Sequence, residues 1–187
     1  MTLLASACAA PYTPEGLSSL EMLPTPTAPE GTALSAANWK ERLDQPYVFL
    51  EVTGDHAVLG AAFEQLHSEL RALGIRPVDA PFALFFTDPG VQADPQRARA
   101  CCPVRERPAR AGSLQYELLQ RAMVVYARVP GAHVKVTRAY PALFSYLHGI
   151  GGRQCGPVRE VYLENTRADG VVEAITEIQI PWSRRSD

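Results

Sequence analysis

Glu160 and Tyr162 are the two side chains of this 187-residue chain whose types and spacing best suit chemistry. They stand two residues apart in VREVYLEN, a segment of β-branched and aromatic residues that predicts a strand. Alternation along a strand directs Glu160 and Tyr162 to one face and Arg159 to the other. A carboxylate among aromatic rings can attract a lipophilic cation, or it can act as a general base on a water molecule.

The competing interpretation of Glu160 is structural. A strand carboxylate is often exposed and paired across a sheet, here with Arg159 or Arg138, and the residues alone leave this alternative open. The aromatic residues have a similar alternative, since many of them can belong to an ordinary core. The candidates for an aromatic site around Glu160 are Phe86, Tyr140, Tyr162 and Trp182, with Tyr126 as a further choice.

The segment around Glu160 resembles an earlier segment of the same chain. Residues 81–90 and 157–170 each open with a proline and carry an aromatic residue five positions later, and CCPVR at 101–105 matches QIPWS at 179–183. In this alignment Leu84 corresponds to Glu160 and Phe86 to Tyr162. The pattern predicts an α+β fold in which a strand-helix-strand-strand unit occurs twice in one sheet, with a cleft on the pseudo-twofold axis.

The elements of each unit follow from periodicity. Residues 47–54 predict the first strand, and residues 57–73 predict a helix because apolar residues recur there every three or four positions. Two strands follow, in FALFFTDPG and RARACCPV. Residues 104–121 form a connector with a helical turn in SLQYELLQRA. A strand-like stretch at 123–137 that is broken by Pro130-Gly131, a short helix after Tyr140 and two closing strands complete the second unit.

The chain divides into a leader, residues 1–45, and a folded domain, residues 46–187. The leader is rich in proline and lacks periodic apolar residues, so we expect it to be disordered. Its beginning, MTLLASACAAP, resembles the end of a bacterial lipoprotein signal that leads to Cys8. We therefore expect a cytoplasmic protein, with a cell-envelope protein anchored by a lipid at Cys8 as the alternative if the start is truncated.

Composition excludes several classes of function. A net charge of -2 and a pI near 6.1 do not favour nucleic-acid binding, and no apolar stretch approaches the roughly 20 residues that span a bilayer. The four cysteines and four histidines do not have metal-ligand spacing, so we expect no metal and no cofactor. The cysteines are expected to be small buried apolar residues rather than disulfides.

The segment CGPVREVYLEN, with TEIQIPW after it and the helix start AYPALFSYL before it, is similar to the GyrI-like small-molecule-binding domain. This family belongs to the SOUL/GyrI-like superfamily and includes the effector-binding module of AraC-type and multidrug-sensing activators. The resemblance covers residues 46–182 and depends most on the spacing of Gly156, Pro157, Glu160 and Tyr162. It implies one curved antiparallel sheet with two helices and a central ligand cleft, with Glu160 at the floor of the cleft.

Two functions follow from this resemblance. The first is binding of an amphipathic, cationic small molecule by Glu160, Tyr162, Tyr140, Phe86 and Trp182. The alternative is hydrolysis of reactive cyclopropane-type electrophiles, with Glu160 as general base and Tyr162 assisting it. A third class, a protein-binding module without a small ligand, would use a sheet edge or an exposed apolar patch instead.

Overall fold

The computed structural model describes residues 36–54, 56–86, 96–130, 136–166 and 172–184. Within these ranges the chain forms nine strands and two helices. In chain order they are β1 (Asn38–Arg42), β2 (Gln45–Gly54), α1 (His56–Leu73), β3 (Phe82–Phe85), β4 (Gln96–Pro103), β5 (Gln115–Leu119), β6 (Ala122–Pro130), α2 (Tyr140–Gly149), β7 (Gly152–Gln154), β8 (Val158–Thr166) and β9 (Val172–Arg184). Neither helix is long and apolar enough to cross a membrane.

The strands form one antiparallel sheet that confirms the predicted duplication. Their order is β1-β6-β9-β8-β3-β4-β2-β5, and β7 pairs with β9. The first unit is β2-α1-β3-β4 and lies in the sheet as β3-β4-β2, while the second is β6-α2-β8-β9 and lies as β8-β9-β6. The two units therefore have the same internal order, and they meet where β3 pairs with β8.

The sheet curls because the strand that precedes each unit pairs with the other unit. Only two residues separate β1 from β2, yet β1 pairs with β6 of the second unit, and β5, which leads into β6, pairs with β2 of the first. The register continues without a slip from the β1–β6 pairing to the β2–β5 pairing, that is, from Asn38↔Tyr126 to Phe49↔Gln115. At the break between them the Arg121 backbone N–H donates to the Asp44 carboxylate at 2.5 Å.

Three elements differ from the sequence predictions. Strand β1 lies inside the stretch expected to be a disordered leader, because its backbone pairs with β6. Strand β5 replaces the helical turn expected in SLQYELLQRA, since pairing with β2 outweighs the local helical preference. Strand β7 was not expected at all. The rest of the leader, residues 1–35, and the site of the expected lipid anchor at Cys8 lie outside the described residues.

The two halves match with a shift of one residue from the expected alignment. Pro103 of β4 pairs with Tyr47 of β2, and Pro181 of β9 pairs with Val124 of β6, so each proline lies opposite the first strand of its unit, which is compatible with the predicted match of the two prolines. Two positions before each proline the next pairing is Cys101 with Phe82 and Gln179 with Arg159. Phe82 is therefore equivalent to Arg159. It follows that Ala83, not Leu84, is equivalent to Glu160, and Phe85, not Phe86, to Tyr162.

Both helices pack on one face of the sheet, which we call the helix face. α1 packs on β2 and β4, and α2 packs on β6 and β7. The core of this face includes Val48, Leu66, Ala83, Phe85, Leu143, Val158, Ile178 and Ile180. The other face, which we call the far face, has a smaller cluster of Tyr47, Phe49, Phe82, Leu84, Cys101 and Val161.

The cysteines only partly meet expectation. Cys101 and Cys102 are free and buried, one on each face of β4, as small apolar residues would be. Burial raises the pKa of both thiols, that of Cys102 to about 11, so neither is a thiolate at neutral pH. Cys155, just before β8, is disulfide-bonded, and the prediction that the cysteines form no disulfide is wrong for this residue.

Candidate functional site

Glu160 lies in the middle of the sheet and is buried on the helix face. Its strand, β8, is central, and Glu160 is flanked by Ala83 of β3 and Ile178 of β9. Only 1% of Glu160 is exposed, which contradicts the alternative of an exposed strand carboxylate. Arg159, one of the two expected ion-pair partners, points to the far face, where its guanidinium stacks on Phe82. A carboxylate has therefore been placed in the apolar interior between the two repeats.

Two tyrosine hydroxyls donate hydrogen bonds to this carboxylate. The Tyr140 hydroxyl donates to Glu160 Oε1, and the Tyr162 hydroxyl donates to Oε2 at 3.2 Å. Tyr140 is the first residue of α2, where Pro141 favours helix initiation, and it is buried. Tyr162 lies two residues beyond Glu160 on the same face of β8. Hydrogen bonds to the ionised form compensate part of the cost of burying a carboxylate.

The first helix contributes an aromatic ring from the other unit. The Phe63 ring meets the Tyr162 ring edge-on, with centroids 5.4 Å apart and planes at 89°. One turn later on α1 the His67 ring lies 6.4 Å from Phe63. We call Phe63, Tyr140, Glu160 and Tyr162 the Glu160 cluster. The helical periodicity predicted Phe63 on the core-facing stripe of α1, but that pattern alone does not distinguish a site residue from ordinary core.

Burial keeps the phenol of Tyr162 protonated. Burial itself, the negative charge of Glu160 and the hydrogen bond to Glu160 all raise the pKa of Tyr162. At neutral pH this phenol is therefore a hydrogen-bond donor and not an anion. On α2 burial also raises the pKa of Tyr146, which is half-buried beside the helix-face core.

Three of the predicted aromatic residues lie away from the Glu160 cluster. Phe86 is 39% exposed, and its ring lies near the guanidiniums of Arg97 and Arg99, at 5.1 and 4.9 Å, on the far face. Tyr126 is also on the far face, with Lys40 Nζ 4.4 Å from its ring centre. The structure therefore brings Tyr140 and Tyr162 to Glu160, whereas Phe86 and Tyr126 lie on the other face of the sheet.

Trp182 is buried on the helix face but at a distance from the cluster. It is four residues beyond Ile178 on β9, which corresponds to about 13 Å along the strand. Leu147 near the end of α2 and the backbone of Gly152 lie next to it. Its indole Nε1 is buried and has no partner among the described residues. Within those same residues no group of three histidine, cysteine or acidic side chains is placed to hold a metal ion.

Comparison with known proteins relates this fold to a family of ligand-binding domains. A family model described as the GyrI-like small molecule binding domain matches residues 40–183. No curated protein matches the chain. The matched range begins inside β1 and ends in β9, so it includes all of the sheet except the two residues before it and the last residue after it.

Solved structures share the fold at low sequence identity. The EcmrR C-terminal domain has a TM-score of 0.69 at 18% identity, covering 80% of this chain and 98% of that one. The chain spans only 58% of EcmrR as seen in its DNA complex, with a TM-score of 0.70 at 17% identity over 81% of this chain. SAV2435 bound to tetraphenylphosphonium has a TM-score of 0.55 at 13% identity, with 79% and 93% covered.

Proposed function

The chain belongs to the family of GyrI-like small molecule binding domains, and we propose that it binds amphipathic organic cations beside Glu160. The observation that carries this proposal is the burial of a carboxylate among aromatic side chains on the seam between the two repeats. A carboxylate in an apolar environment has a strong attraction for a cation that replaces water, because the low local dielectric strengthens the Coulomb interaction.

The aromatic members of the Glu160 cluster supply the second part of the recognition. Rings of Phe63, Tyr140 and Tyr162 offer apolar area and electron-rich faces, and each cation–π contact contributes roughly 0.5–2 kcal/mol. The rings come from both helices and from β8, so a ligand would lie between the two units. An amphipathic cation satisfies the carboxylate with its charge and the rings with its apolar groups.

A solved relative gives this ligand class independent support. SAV2435, which shares the fold, was solved bound to tetraphenylphosphonium, a lipophilic cation. At 13% identity this likeness concerns the fold alone, and the ligand chemistry is carried to this chain only as part of the proposal. We further propose that Tyr140 and Tyr162 hold the carboxylate oriented before a ligand arrives.

The test compares two probes of the same shape and opposite charge. Titration calorimetry with tetraphenylphosphonium and tetraphenylborate should show binding of the cation and much weaker binding of the anion. Glu160→Gln keeps the shape of the side chain and is expected to fold, since it removes a buried charge. Its affinity for the cation should fall at least roughly tenfold, which corresponds to about 1.4 kcal/mol.

The matched control is Glu164→Gln, which removes an exposed carboxylate from the same strand. Strand alternation places Glu164 on the same face as Glu160. It should bind tetraphenylphosphonium as the parent does. Equal cation affinity in the parent and in Glu160→Gln would refute the proposal. Equal affinity of the parent for both probes would show that hydrophobicity, and not the charge of Glu160, drives binding.

A second function uses the same residues for catalysis. Glu160 would act as general base on a water molecule that opens a reactive cyclopropane, and Tyr162 would assist as a proton donor, because its raised pKa keeps it protonated. One protein of this fold, encoded by lin2189 in Listeria innocua, is described as a hydrolase, with a TM-score of 0.50 at 11% identity over 79% of this chain and 91% of that one. Incubation with strained cyclopropane electrophiles and mass spectrometry separates the two functions. Glu160-dependent, repeated addition of water would favour the hydrolase, and recovery of intact compounds would favour the binder.

A further inference from the structure

Arg159 is a buried cation on the face of the sheet that the proposed function does not use. It is 4% exposed, and its guanidinium lies 3.9 Å from the centre of the Phe82 ring. Its Nη2 donates to Gln45 Oε1 at 2.5 Å, and its Nη1 donates to Gln179 Oε1 at 3.4 Å. These contacts are a ring and two neutral amides, so none of them neutralises the charge.

A second guanidinium, that of Arg42, faces the same region from β1. Its Nη2 donates to the carbonyl oxygen of Gln120 at 2.6 Å. The Nε atoms of Arg42 and Arg159 are both buried, and neither has a hydrogen-bond partner in the part of the chain that the structure describes. Two guanidiniums thus each keep one unused donor in the interior.

Other cations on this face have carboxylate partners. Glu177 binds Lys40 Nζ at 2.5 Å and Arg128 Nε at 2.9 Å. Glu51 and Glu117 both bind Arg99, at 3.0 and 2.5 Å. Within the described ranges neither Arg42 nor Arg159 forms an ion pair with a carboxylate. On the far face the paired cations therefore surround buried Arg159 and half-buried Arg42, which have no carboxylate partner within the described ranges.

The pKa values of Arg159 and Arg42 are consistent with guanidiniums that have no carboxylate partner among the described residues. Burial and the positive charge of Arg42 lower the pKa of Arg159, while Cys101, Asp79 and Glu177 act in the other direction, and the net pKa is about 10. Burial also lowers the pKa of Arg42 to about 10. Both groups remain charged at neutral pH. A buried charge without a partner is unfavourable, and an anion placed between two such groups removes the cost.

We propose that Arg42 and Arg159, with the amides of Gln45 and Gln179, form a binding site for a small oxyanion, a carboxylate or a phosphate. The planar guanidinium fork matches the oxygens of both groups. The NH₂ groups of Gln45 and Gln179 each donate one hydrogen to a carboxylate, that of Asp79 and that of Glu177, and keep the second hydrogen for the anion. This site is separate from the Glu160 cluster, because consecutive strand residues point to opposite faces.

The test measures thermal unfolding in sodium acetate, sodium phosphate and sodium chloride at one ionic strength and pH 7. The parent should melt a few °C higher in acetate, in phosphate or in both than in chloride, once the anion is roughly tenfold above its Kd. A response to acetate alone would identify a carboxylate, and a response to phosphate alone would identify a phosphate. The rise should be lost in Arg159→Gln.

Arg97→Gln is the matched control, because Arg97 lies on the same face but is exposed and paired with Glu51. It should keep the anion-dependent rise. If Arg159→Gln does not fold, Arg42→Gln at the half-buried position should lose the rise instead. A rise of equal size in the parent and in all variants would be the general effect of excluded salts, and it would overturn the proposal, as would no rise in the parent. Tetraphenylphosphonium affinity should be unchanged in Arg159→Gln.

Discussion

Arg99 and Glu177 occupy equivalent positions in the two halves of the sheet and carry opposite charges. Each lies four residues before the matched proline of its strand, Pro103 or Pro181. Their cross-strand partners are equivalent as well and are also reversed in charge, Glu51 opposite Arg99 and Arg128 opposite Glu177. The same holds for the third member of each group, Glu117 on β5 and Lys40 on β1. The duplicated sheet thus has the same three-charge arrangement twice, with its signs inverted.

Glu177, the buried acid of this arrangement, leads to a prediction about stability in acid. Burial by itself would raise the pKa of Glu177, but hydrogen bonds from Lys40, Gln179 and Arg128 outweigh burial and lower it. A lowered folded-state pKa means that Glu177 stabilises the fold above its unfolded pKa of about 4.3 and loses this contribution as the pH falls through the folded value. Glu177→Gln should therefore lower the free energy of unfolding by about 1–2 kcal/mol at pH 7 and by progressively less below pH 4.

Urea unfolding at pH 7 and at pH 3 measures this difference. Glu106→Gln removes an exposed carboxylate and serves as the control, with little effect at either pH. A cost for Glu177→Gln that stays the same at both pH values would mean that the side chain acts through its shape rather than its charge.

The register of β3 leads to a second prediction. Ala83 faces Glu160 directly across the seam, and Leu84 lies on the far face beside Arg159. Ala83→Val should weaken tetraphenylphosphonium binding, because it adds two methyl groups next to the proposed ligand, and it should cost about 1–3 kcal/mol of stability through overpacking. Leu84→Ala should cost about 2–5 kcal/mol of stability but leave the cation affinity of the folded protein unchanged.

Calorimetric titration of both variants, with circular dichroism to establish the folded fraction, checks this pair. If Leu84→Ala weakened cation binding and Ala83→Val did not, the ligand would lie on the far face. That result would also contradict the position proposed for the cation beside Glu160.

A pair of glycines tests the packing of α2. A Cβ atom at Gly152 would lie 2.5 Å from Leu147 Cδ1 and 3.0 Å from Trp182 Cε3, whereas one at Gly60 in α1 would meet nothing within 4 Å. Gly152→Ala should therefore destabilise the protein by about 1–3 kcal/mol. Gly60→Ala should stabilise it by up to about 1 kcal/mol, because alanine favours a helix. Thermal unfolding of the two variants should shift in opposite directions, and equal shifts would show that α2 does not pack closely on β7 and β9.

Much of the fold could be predicted from local patterns. The helical spacing of Leu59, Leu66 and Leu70 identified α1, and proline positions paired the closing strands of the two halves. Strands β1 and β5 were missed because their short segments have little strand pattern of their own. They are strands because distant partners are available, and a single sequence does not display such partners.

The candidate site was predicted in part for a related reason. Glu160 and Tyr162 could be predicted as neighbours because they share a strand face, and Tyr140 could be predicted beside them because the resemblance to the GyrI-like domain implies a tyrosine at this helix start. The expected match of Leu84 with Glu160 was wrong by one residue, and in a strand a shift of one residue changes the face. The same error brought Phe86 into the predicted site, although Phe86 lies near Arg97 and Arg99 on the far face.

The crossing of β1 and β5 has a consequence for how the protein unfolds. The strand that precedes each repeat completes the hydrogen bonding of the other repeat, so neither repeat keeps its full set of backbone partners when the other opens. Two half-size units joined in this way lose independent stability and share one cooperative transition. A ligand bound between the helices would therefore stabilise the backbone of both repeats at once, although it touches only a few side chains of each.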